Sequence, residues 1–81
     1  MPVPLSSPEY KALRALLTKT RDAAGLTQAE VAERLGRPQS FVSKYESGER
    51  RLDVIQFIHV CRALGLNPGT TLSHVDHARP S

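Results

Sequence analysis

The sequence predicts an all-α domain of five short helices, and two observations carry this. Apolar residues recur at intervals of three and four from residue 10 to residue 75, and nowhere alternate with polar ones as a half-buried strand requires. The same punctuation also repeats: a Ser, Thr, Asp or Asn opens a helix and a glycine follows its end. Eighty-one residues suffice for one domain. A chain of this size buries only about 60% of its unfolded surface, so its stability is modest. With two Phe, two Tyr and no Trp, aliphatic side chains must fill most of the core.

Residues 1–6 contain two prolines and little to bury, and read as a flexible arm. Ser7, Pro8 and Glu9 then give an N-cap, a proline in the first helical position and an acid in the first turn. The first helix should run from about Pro8 to Ala24. Tyr10, Leu13, Leu17 and Arg21 fall on one face, with Leu16 beside them, and Gly25 stops it. Thr27 to Glu30 reads as a capping box that opens the second helix. Its inner face is Val31, Ala32 and Leu35, and it ends at Gly36. Arg37 and Pro38 make the turn, since proline keeps the residue before it out of the helical region.

The third helix should span about Gln39 to Glu46, with Val42 and either Tyr45 or Glu46 inward, and stop at Ser47-Gly48. A charged loop, Glu49-Arg50-Arg51-Leu52, precedes Asp53, which caps a fourth helix over about Val54 to Leu64. There Phe57, Ile58, Cys61 and Leu64 share one face. Asn67-Pro68 opens a short fifth helix to about Val75. The domain is expected to cover residues 7–76, and 77–81 to form a frayed tail.

The second and third helices together form a unit suited to reading a DNA groove. Ala29 and Ala32 are small enough to let the partner helix approach, Gly36 permits the tight turn, and Val42 fills the gap. The outer face of the third helix is then Gln39, Ser40, Ser43 and Lys44. Gln can make two hydrogen bonds to adenine, Ser can bond to several bases, and Lys can reach guanine or a phosphate. Gln28, at the N-terminus of the second helix, stands where free amides and the helix dipole favour a phosphate. Arg37, Arg50 and Arg51 can flank the groove as backbone contacts, which position without reading sequence. The net charge of +3 fits a polyanionic partner but does not demand one.

The run Gly25-Leu26-Thr27-Gln28, Val31-Ala32, Leu35-Gly36, Gln39-Ser40, Val42-Ser43, Glu46-Ser47-Gly48 and Ala63-Leu64-Gly65 resembles the phage repressor and Cro family. This is the xenobiotic-response-element type of helix-turn-helix regulator. The resemblance covers about residues 9–75. It implies a compact five-helix, lambda-repressor-like DNA-binding domain that binds double-stranded DNA as a homodimer on palindromic half-sites. It also implies that Gln28 contacts phosphate and buttresses Gln39, that Gln39, Ser40 and Lys44 contact bases, and that Arg21 and Glu46 form an internal salt bridge. Pro38 departs from the pattern, because the family often has a capping Ser or Thr there.

The expected role is a transcriptional regulator, most simply a repressor. Two alternatives are an antitoxin or restriction or phage-defence controller of the same fold, and a protein-interaction module that has lost DNA binding. Leu66, Leu72 and Val75 are the candidate dimer surface. Tyr10, Phe41 and Tyr45 sit on different helices and read as core or rim rather than as a stacking platform. Phe41 lies near the DNA-facing side.

No enzyme activity, cofactor or small-molecule effector is expected. His74 and His77, with Asp76 between them, fall short of the three or four ligands a metal site needs. His59 and Cys61 are two apart on a helix and face different ways. No apolar run approaches the ~20 residues of a membrane span. The start has no basic segment followed by an apolar core, and so does not read as a signal peptide. The single Cys61 fits a reduced, cytoplasmic setting.

Overall fold

Five helices form in the computed structural model, which describes residues 7–77: α1 (Pro8–Ala23), α2 (Gln28–Leu35), α3 (Gln39–Ser47), α4 (Val54–Leu64) and α5 (Pro68–Asp76). No strand occurs among the described residues. The expected arm at 1–6 and residues 78–81 of the expected tail lie outside them. His77, also assigned to that tail, instead caps α5. Its amide donates to the Ser73 carbonyl at 3.2 Å, and its ring Nδ1 stands 2.7 Å from the same oxygen.

Four of the five helices, α3 excepted, start where a side chain can satisfy amides that have no partner within the helix. Ser7 Oγ accepts from the Tyr10 amide at 3.1 Å, and Asn67 Oδ1 from the Thr70 amide at 2.9 Å. Thr27 and Glu30 form a reciprocal capping box. Asp53 and Gln56 form a second, whose Gln56 half the sequence reading did not assign. Pro38 caps α3 without any side-chain hydrogen bond, as its lack of a hydroxyl requires. Gly36 and Gly48 end α2 and α3 at φ 66° and 89°, the left-handed region that a Cβ disfavours.

The core is where α1 to α4 meet. Leu17, Val31, Ala32, Phe41, Val42, Tyr45, Val60 and Leu64 are buried together. Leu13, Leu26, Leu35, Leu52 and Leu66 pack around them. α2 packs chiefly on α3, α1 lies across α3, α4 and α5, and α4 also meets α2.

Two sequence expectations shift, and one open choice is decided. Val60 is fully buried whereas Ile58 is half-buried, so the buried stripe of α4 runs through 57, 60, 61 and 64. Ala29 is exposed, so only Ala32 serves the close approach of α2 and α3. Tyr45 is the inward residue near the end of α3, with Glu46 at the edge of the core beside it.

Two stability predictions follow from these positions. A Cβ at Gly36 would meet nothing within 4 Å, whereas one at Gly48 would lie 2.6 Å from Arg14 Nη1. Gly36→Ala should therefore cost about 1–2 kcal/mol from backbone strain alone. Gly48→Ala should cost more, because Arg14 must also move; urea unfolding of the two variants compares them.

Burial, and then the neighbouring Glu46 charge, push the Tyr45 phenol above its ordinary 10.0. The unfolded chain therefore releases this proton first as pH rises. The contribution is complete below about pH 10 and is lost above it. Tyr45→Phe should flatten the alkaline decline in unfolding free energy above about pH 10. Tyr10, raised mainly by burial too, leaves a residual slope.

Candidate nucleic-acid interface

α3 has two distinct sides. Phe41, Val42 and Tyr45 point into the core, while Gln39, Ser40, Ser43 and Lys44 are all exposed. Helical periodicity puts these four on one continuous surface opposite the buried three. None of the four makes a side-chain hydrogen bond or ion pair among the described residues, so their polar groups are open to a ligand.

A buried ionic network fixes how this surface is presented. Arg21, in the last turn of α1, donates from Nε to Glu46 Oε2 at 2.8 Å and from Nη2 to Oε1 at 3.1 Å. Its Nη1 also donates to the Leu26 carbonyl at 2.9 Å, which holds the α1–α2 link. The two side chains are 13% and 7% exposed, so this is an enclosed pair rather than a solvated one. Its hydrogen bond to Glu46 raises the Arg21 pKa above its ordinary value.

Gln28 Nε2 donates to the same carboxylate at 3.0 Å. In this structure Gln28 Nε2 is engaged by Glu46, a carboxylate already oriented by Arg21 and so a strong acceptor. Gln28 remains half-buried, at the first position of α2.

The opposite flank of α3 holds contacts that the sequence did not reveal. The guanidiniums of Arg37 and Arg50 each lie 4.9 Å from the centroid of the Phe41 ring. Phe41 itself meets Tyr45 edge-on, with centroids 5.7 Å apart and planes at 74°. Tyr10 donates its hydroxyl to the Arg50 carbonyl at 2.8 Å, and the Arg50 amide donates to the Lys44 carbonyl at 3.3 Å. The segment after α3 is therefore tied to α1 and to α3 itself. Arg51 is exposed, apart from these ties.

Arg37 lies in the turn before α3, so helical spacing does not predict its contact with Phe41. Arg50 is nine residues on, and no local pattern links it to Phe41. The Tyr10 tie to Arg50 and the place of Arg14 likewise carry no local signal. Arg14 Nη1 reaches the Glu46 carbonyl at 3.4 Å, and its Nε is buried without a partner.

The three candidate dimer residues lie in different surroundings. Leu66 packs against the core, Val75 is half-buried, and Leu72 is 51% exposed. Leu72 also lines an apolar groove of about 210 Å³ with Tyr10, Leu13, Leu52, Val54 and Phe57. Val54 and Ile55, at the start of α4, are exposed apolar side chains that the sequence reading left unassigned. No described helix is long and apolar enough to cross a membrane.

Residues 12–75 match the family described as a helix-turn-helix domain. Among solved structures, the chain is similar to an XRE-family like protein from Pseudomonas syringae pv. tomato. The identity is 56% over 89% of this chain and 88% of that one, with a TM-score of 0.83. It is also similar to the clp gene regulator ClgR from Corynebacterium glutamicum, at 25% identity over 99% of this chain and 97% of that one, with a TM-score of 0.76. A second structure of ClgR aligns at 28% identity over 85% and 73% of the two chains, with a TM-score of 0.75. Among curated proteins, none matches the chain.

Glu46 is expected to matter to the fold out of proportion to its size. Glu46→Ala would take two hydrogen bonds from the Arg21 guanidinium, leaving it the Leu26 carbonyl and the exposed Asp22 carboxylate, and should cost about 2 kcal/mol. Lys44→Ala, on the exposed side of the same helix, should stay within about 0.5 kcal/mol of wild type. Denaturant unfolding of both variants tests the contrast.

Proposed function

The chain belongs to the helix-turn-helix family and carries its DNA-binding domain, the mark of a transcriptional regulator; from that premise we propose that it is a homodimeric repressor reading an inverted repeat. The supporting observation is the outer face of α3. Four exposed polar side chains, Gln39, Ser40, Ser43 and Lys44, stand on the helix that directly follows the turn, and the core fixes their direction. Such a helix fits the major groove, where Gln39 would bond an adenine edge and Lys44 a guanine or a phosphate.

In this reading Gln28 meets the phosphate backbone on one side of the groove, and Arg37, Arg50 and Arg51 meet it on the other. Phosphate contacts fix the register, and α3 supplies the sequence preference. Two copies would place their α3 helices in successive major grooves, about 34 Å apart along one side of the duplex. Leu72 is the exposed centre of the dimer surface we assign, with Val75 and Leu66 at its margin. Repression would follow from occupancy of the site itself. The role includes no catalytic step and fits a reduced, cytoplasmic setting.

Selection of binding sites from random duplexes, followed by affinity measurements on the selected site, tests the reading. An inverted repeat should emerge. Gln39→Ala should then cost about 1–3 kcal/mol on that site and relax preference at one base, with little change on random DNA. Equal losses on selected and random DNA would remove Gln39 from base reading. Failure to enrich any sequence would remove the function.

A further inference from the structure

We propose that Phe41 is a positioning residue which holds Arg37 and Arg50 in a cationic cradle facing the phosphate backbone, on the Lys44 side of α3. The proposal rests on the DNA-reading role and names the site that serves one edge of the groove.

Three observations lead to it. First, Phe41 is a core residue, 6% exposed and braced edge-on by Tyr45, so its ring has a fixed place. Second, two guanidiniums from separate parts of the chain stand at the same 4.9 Å from that ring. Their backbones are independently tied: the Arg37 amide donates to the Ala32 carbonyl, and the Arg50 carbonyl accepts from Tyr10. Third, no carboxylate neutralises the two. Among the described residues, the ion pairs found both belong to Arg21.

The ring face attracts each cation and holds it in place. Each guanidinium, held against the ring and without a carboxylate partner, is left to donate to a backbone phosphate. The ring also removes rotamer freedom from two long side chains before the ligand arrives, so less is lost on binding. Phe41 and Lys44 are three apart on α3 and are therefore neighbours on its surface. That places the cradle at the border of the reading face, across α3 from Gln28 and Glu46.

A double-mutant cycle on random duplex DNA tests the ring's action through the arginines. Phe41→Leu should weaken binding roughly three- to tenfold, and Phe41→Tyr, which keeps the ring, should stay within about twofold of wild type. In the Arg37→Ala/Arg50→Ala background, Phe41→Leu should change affinity little. Equal losses in both backgrounds would show that the ring only supports the fold, and would overturn the cradle.

A second readout needs no DNA and no substitution. Side-chain resonances of Arg37 and Arg50 should show ring-current shifts in the wild-type protein, and their absence would also overturn it. Wild-type protein that shows these shifts but binds no duplex would contradict the functional reading and with it the phosphate ligand. Binding with an additive cycle would contradict the cradle alone.

Discussion

Three hydrogen bonds converge on the carboxylate of Glu46, two from Arg21 and one from Gln28. They join the end of α1, the start of α2 and the last turn of α3. Arg21 uses its remaining nitrogen on the Leu26 carbonyl, so the link between α1 and α2 is held by the same side chain. Taking an ion pair out of water is costly, and such a pair is a poor source of net stability. Its value here is geometric. Apolar packing alone permits small rotations of α3 about its axis, whereas a forked guanidinium and a carboxylate bond well in few orientations.

That constraint sets which way α3 faces. With Glu46 fixed to α1, residues 42 and 45 must lie inward, and 39, 40, 43 and 44 must lie outward. Gln28 is held at a set distance from the reading face because it shares the same carboxylate. The far side of α3 is organised differently, by an aromatic ring and two cations rather than by a salt bridge. One flank is electrically satisfied within the protein, while the other carries uncompensated positive charge. A groove bordered by phosphates on both sides fits between a neutral hydrogen-bonding flank and a cationic one.

Much of the fold was legible because its signals are local. Ser7, Thr27, Asp53 and Asn67 cap their helices as short-range hydrogen bonding dictates, and Gly36 and Gly48 take the left-handed geometry that few other residues tolerate. Val60 was missed because one extra apolar residue turns the buried stripe of α4 by part of a turn, and a spacing rule does not fix that angle. Ala29 was misjudged because a small residue serves equally in a tight interface and on a surface. The outer face of α3 was legible as a pattern of polar residues. Contacts such as Tyr10 with Arg50, Gln28 with Glu46 and Arg50 with Phe41 join residues 9 to 40 apart in sequence. They depend on how the helices pack, which no local pattern encodes.

The central claim is that α3 and its two flanks form a surface for duplex DNA. The salt dependence of binding to a duplex tests it most directly, by fluorescence anisotropy from roughly 50 to 200 mM salt. The account predicts a linear fall of log affinity against log salt concentration, steep enough for several phosphate contacts and an order of magnitude or more over that range. An affinity that is flat across the range would contradict it, because a surface whose flanks do not meet phosphates has no counterions to release.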